Sequence, residues 1–149
     1  MRQLLIAITM IAAVTVAMSA HHESDGMRHP AKISKEDATG KIFERPDMIK
    51  TDHGSNVTLD VTTLLSSDKK FASGMYRSGK VRSEIDEPYG VDEFMYFLEG
   101  GVTLTSSDGT VTEINAGDAV TIPKEWMGVW DTDGYTKIWV IYSEDGSGL

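Results

Sequence analysis

Apolar positions in this chain fall mostly in short runs, several of which alternate with polar residues at a period of two. Beyond Ile42 the sequence breaks into short runs rich in Val, Thr, Ile and aromatic residues, separated by Gly, Asp, Asn and Pro. That texture is the mark of strands at regular spacing. Strands are expected at residues 57–65, 71–77, 81–85, 93–98, 102–105, 110–114, 119–122, 128–132 and 135–142. So many short strands in so little chain suggest a sandwich or barrel. No segment of comparable length after the opening residues repeats its apolar positions every 3.6 residues, so helices should be minor.

The connections agree with the strands. Asp108-Gly109 joins two alternating segments, and Asp-Gly supplies the positive φ angles of a tight hairpin. Asn115-Ala116-Gly117-Asp118 is a second turn signal and Asp133-Gly134 a third. The last strand has large apolar residues on both parities, Trp139 and Ile141 on one and Ile138 and Val140 on the other. Something must therefore cover its outer face: the edge of another sheet, the N-terminal segment or a second subunit.

The two ends differ from the middle. Residues 1–20 have the layout of a secretory signal, with Arg2, an apolar run and then small residues. Ala17 and Ser19 satisfy a small-x-small rule for cleavage after Ser19, and the apolar stretch 4–18 falls short of the ~20 residues that span a bilayer. A cleaved leader and a periplasmic or secreted product are expected. Residues 21–41 read as a flexible polar segment, 42–142 as a β-barrel and 143–149 as a frayed tail.

Composition narrows the partners. The formal net charge is −9, and loss of Arg2 with the leader takes it to −10. Such a surface repels phosphate backbones and anionic headgroups, so nucleic acid and, after cleavage, membrane are poor partners. The chain contains no cysteine, which removes thiol chemistry, disulfides and cysteine zinc sites.

Several local signals dissolve on inspection. The stretch from Gly74 to Val81 nearly spells a phosphate-binding loop, but Val81 has no hydroxyl for Mg²⁺ and no helix follows. Cleavage after Ser19 would leave Ala20-His21-His22 at the new terminus, a geometry that can chelate Cu or Ni, but a solvated tail is much the better reading. Asn56-Val57-Thr58 fits a glycosylation acceptor, which matters only in a eukaryotic secretory pathway. No Ser, His and Asp are spaced like a serine hydrolase.

One set of motifs stands out. An acid-aromatic strand from Asp92 through Glu93 to Glu99-Gly100 is followed by Asp108-Gly109, Gly117-Asp118, Pro123, Gly128-Val129-Trp130 and Lys137. This resembles the cupin superfamily, and within it the subgroup of ethanolamine-utilisation cupins and the cupin domains related to ureidoglycine aminohydrolase. The resemblance implies an all-β, single-domain jelly-roll barrel with the motif residue Glu93 facing the lumen. Metal-holding cupins place His-x-His before that Glu and another His after the motif Pro. Here those positions hold Glu87 and Tyr89, or Asp86 and Pro88, and then Gly128. No cofactor is therefore expected, a divalent metal on carboxylates being the minor alternative.

Alternation puts Glu93, Met95 and Phe97 on one face, and likewise Gly128, Trp130 and Thr132, and Lys137, Trp139 and Ile141. An acid, a base and an indole then share one apolar mouth, a plausible small-molecule pocket. Glu93, Trp130 and Lys137 are the leading ligand-binding candidates, with Tyr76, Arg82 and Tyr89 on the rim. The expected role is an exported cupin that binds a small polar organic molecule, with a homodimer as a possible state. The rival is an enzyme in which Glu93 and Lys137 do acid/base chemistry on a nitrogenous or carboxylic molecule. The structural alternative is a buried ion pair that fixes strand register, with Trp130 as core filling.

Overall fold

Alternation along the chain decides which face of each strand is buried, and the resulting strands pair into one antiparallel system. The computed structural model describes residues 29–149. The leader, its cleavage site and Ala20-His21-His22 lie outside these residues. The strands are β1 (Ile49–Asp52), β2 (Val57–Leu65), β3 (Phe71–Ser78), β4 (Val81–Ile85), β5 (Asp92–Ser106), β6 (Val111–Asn115), β7 (Ala119–Ile122) and β8 (Gly128–Tyr142). They run in the order β1-β2-β3-β8-β5-β6, with β4 on β8 and β7 on β5.

The two long strands carry the architecture. The first part of β8 pairs with β4 and its second part with β3. Likewise β5 pairs first with β7 and then with β6. Each long strand thus serves two sheets, which face each other across a core that includes Met95, Phe97, Leu104, Ile122, Trp130 and Tyr135. This is a jelly roll, as the sequence implied.

Four of the expected strands merge into these two. The Asp133-Gly134 turn is not formed, because residues 128–142 run on as one strand. Register shifts in the β5–β8 ladder between Phe97 and Glu99 and between Gly101 and Thr103 take up the bend instead. Glycine is needed at that crossing. Gly100 has φ +66°, and a Cβ there would sit 1.9 Å from the carbonyl oxygen of Gly134. The Asp108-Gly109 hairpin does form, closed by hydrogen bonds from Gly109 N–H to Ser106 O and from Ser106 N–H to Thr110 O.

The described part of the polar segment before the barrel contains one short regular element. Ser34 starts a short helix, α1 (Lys35–Ala38), through a capping box with Asp37. A 3-10 turn, Lys41–Glu44, then lays Ile42 and Phe43 against Val61 and Met75, with Leu98 and Ile138 packed alongside. The outer face of β8 at Ile138 is thus covered by the N-terminal segment, one of the three covers the apolar parity allowed. Burying a side chain of this size contributes about 1.5–3 kcal/mol, enough to hold the segment down. The C-terminal stretch is also anchored: the Ser143 N–H donates to Lys70 O and its hydroxyl to Ser147 O.

Candidate functional site

The inward faces of β5 and β8 converge on one cavity. On β5, Glu93, Met95 and Phe97 are buried while Phe94 and Tyr96 face out. On β8, Tyr135, Lys137 and Trp139 are the inward set. Lys137 lies opposite Phe97 in the register, yet its long stem runs back past Met95. Its Nζ lies 2.9 Å from Met95 Sδ and 2.6 Å from Glu93 Oε1. The Tyr89 hydroxyl donates a short hydrogen bond to Glu93 Oε2. Both carboxylate oxygens of Glu93 are therefore engaged.

Aromatic rings surround the ammonium. Lys137 Nζ lies 5.3 Å from the ring centre of Trp130, 5.7 Å from that of Tyr76 and 5.8 Å from that of Tyr135. The open space beside this cluster is about 270 Å³ and is also bounded by Asp60, Ser83, Ile85, Trp139 and Ile141. It lies near the lower end of small-molecule sites, which span roughly 300–1,000 Å³.

Burial sets the titration of the cluster. Desolvation pushes Lys137 below the ordinary lysine value, and the charge and hydrogen bond of Glu93 partly restore it. Tyr89 is pushed far above the usual phenol range, first by burial and then by the charge of Glu93. Tyr135 and Tyr76 are raised chiefly by burial as well. Asp60 is raised by desolvation, against a hydrogen bond from the Trp139 indole.

Of the six sequence-derived candidates, Glu93, Trp130, Lys137, Tyr76 and Tyr89 all line the cavity. Arg82 does not. The alternation of β4 turns Ser83 and Ile85 inward, so Arg82 points outward and pairs with Asp131 at 2.7 Å. Sequence reasoning missed Asp60 and Tyr135. Tyr135 shares the parity of Lys137, and Asp60 is an acid in the middle of an otherwise apolar and hydroxylic strand, so both left a readable trace.

The donor set does not fit a divalent metal. A cation at Glu93 would have to displace an ammonium 2.6 Å away. Among the described residues no three His, Cys, Asp or Glu side chains converge. The His53 ring lies against the Thr58 hydroxyl, at 3.3 Å.

The jelly roll with a lumen-facing Glu93 on β5 agrees with what comparison with known proteins finds. Residues 66–137 match the EutQ-like cupin domain. The EutQ protein of Clostridium difficile superposes with TM-score 0.53 at 21% identity, over 66% of this chain and 78% of that one. A Rhizobium leguminosarum protein of unknown function gives TM-score 0.53 at 20% identity, over 79% of this chain and all (100%) of that one. A Pseudomonas syringae protein of unknown function gives TM-score 0.57 at 16% identity, over 63% of this chain but only 43% of its own length. No curated protein sequence matches the chain. The fold of the chain is that of the cupin superfamily.

Proposed function

We propose that this protein is exported through its apolar leader and uses the barrel cavity to bind a small polar organic molecule without a metal. The observation that carries the reading is an open space of about 270 Å³ beside a sealed Lys137–Glu93 pair. A pair that served only to fix strand register would be packed on all sides. Here it borders a hollow with aromatic walls and a few convergent polar groups, the usual make-up of a ligand site.

A thermal-shift screen of amines, ureides, organic acids and sugars tests it. At least one class should raise the melting temperature, since a ligand that binds only the folded form stabilises it. Glu93→Gln and Lys137→Met should each lose that shift. A screen in which nothing shifts, or in which both variants keep every shift of the parent, overturns the proposal.

One observation favours a catalytic variant of this reading. Tyr89 and Lys137 both donate to Glu93, so three groups able to give or take a proton are linked by hydrogen bonds along the cavity wall. Such a relay could deliver or remove a proton at a bound molecule. Turnover of any ligand from the screen, lost in Tyr89→Phe while binding is kept, would mark an enzyme.

A further inference from the structure

We infer that the occupant of the cavity is a small organic cation, an amine or quaternary ammonium, whose charge pairs with Asp60. This rests on the binding role proposed above and names its ligand class.

The argument begins with charge. Three charged side chains line the cavity: Asp60, Glu93 and Lys137. Glu93 and Lys137 cancel each other at 2.6 Å. Asp60 has no such counterpart. Among the described residues, its hydrogen-bond partners are the indole N–H of Trp139, at 3.3 Å, and the backbone of Val61; the Lys137 ammonium attracts it through space, but no Lys or Arg forms an ion pair with it. The lining therefore holds two carboxylates to one ammonium, and the one without an ion pair stands in a half-buried place where desolvation disfavours its charge. An anionic ligand would be repelled there, and a neutral donor could hydrogen-bond the carboxylate but would leave the excess negative charge unbalanced. A cation satisfies it.

The walls point the same way. Tyr76 lies between Asp60 and Lys137 in the strand register, paired across β2–β3 and β3–β8. Trp139 is tied to Asp60 through its indole nitrogen, so an aromatic ring adjoins the carboxylate on that side as well. Electron-rich ring faces beside an acid are how proteins hold alkylammonium groups, because the rings replace the lost hydration without fixing a hydrogen-bond geometry. The cavity already shows this chemistry once, with three rings around the protein's own ammonium.

Calorimetric titration with a matched pair of probes tests the inference. Choline and 3,3-dimethylbutan-1-ol have the same shape and differ by one positive charge. Choline should bind at least about tenfold more tightly, a difference of about 1.4 kcal/mol. Asp60→Asn keeps the acceptor for Trp139 and should bring the two probes to equal affinity, with an unchanged circular dichroism spectrum. The inference is overturned if choline does not bind, if the neutral alcohol binds as tightly, or if Asp60→Asn keeps the preference. A protein that ignores choline but is stabilised by an organic acid or a sugar retains the binding role and loses only this inference. A protein that responds to nothing loses both.

Discussion

Lys137 Nζ lies 2.6 Å from Glu93 Oε1, and the two side chains are only 7% and 4% exposed. Neither charge could stay in the barrel alone, since each would face a desolvation cost of several kcal/mol without the other. The pair thus ties the start of β5 to the second part of β8, and it places a polar group at the floor of the cavity.

Breaking this pair from one side should be costly. Lys137→Met strands the carboxylate and Glu93→Gln strands the ammonium, and each should lose about 3–5 kcal/mol in urea unfolding. The double variant leaves no orphaned charge, so its loss should fall short of the sum by 1 kcal/mol or more, read as a double-mutant cycle. Strict additivity would show that the two groups do not depend on each other.

Much of this arrangement was legible in the sequence, for a definite reason. Period-two alternation fixes which side chains share a face, and the resemblance to cupins implied that the face with Glu93 is the lumen, so Glu93, Trp130 and Lys137 could be brought together without coordinates. What alternation does not fix is where a strand ends. Asp133-Gly134 has turn composition, but the ladder to β5 continues through it and the glycine serves the crossing of two strands. Strand β1 went unseen because all four of its residues are exposed and none needs an apolar partner. Arg82 was misplaced because long charged residues suit a pocket rim and a solvent face equally well, and only the register of β4 on β8 decides between them.

The crossing of β5 and β8 predicts a glycine requirement that can be separated from backbone preference. Gly100 and Gly109 both have positive φ, +66° and +87°, but only at Gly100 would a Cβ meet another backbone. Gly109→Ala should cost about 1–2 kcal/mol, the ordinary penalty of a left-handed residue. Gly100→Ala should cost clearly more, because the 1.9 Å approach to Gly134 O forces the strands apart. Equal losses for the two variants in chemical unfolding would mean that the crossing yields freely.

The N-terminal cover should behave as part of the folded unit. Ile42 is 1% exposed, as buried as barrel residues such as Ile122 at 2%. Ile42→Ala should therefore cost about 2–5 kcal/mol, in the same range as Ile122→Ala. Both should unfold in a single transition. A loss under 1 kcal/mol for Ile42→Ala, or a separate early transition, would show that the segment merely rests on the sheet.

Stability at alkaline pH follows from the buried phenols. Tyr76, Tyr89 and Tyr135 are all raised above their ordinary value of 10.0. Once unfolded they would ionise near that value, whereas the folded chain keeps their protons. Above pH 10 the unfolded state therefore binds fewer protons, and stability, complete below that point, falls as pH rises. Lys137 acts in the opposite sense: its folded value is lowered from 10.5, so between the two values the unfolded state holds the extra proton and stability climbs with pH. The profile should rise gently toward pH 10 and then drop, with a limiting slope of about 4 kcal/mol per pH unit if all three phenols contribute one proton each. Urea unfolding at successive pH values gives that slope directly. Tyr135→Phe removes one of the three protons and should flatten the alkaline limb by about a third. An unchanged limb in that variant would mean that Tyr135 ionises as readily inside the barrel as in water.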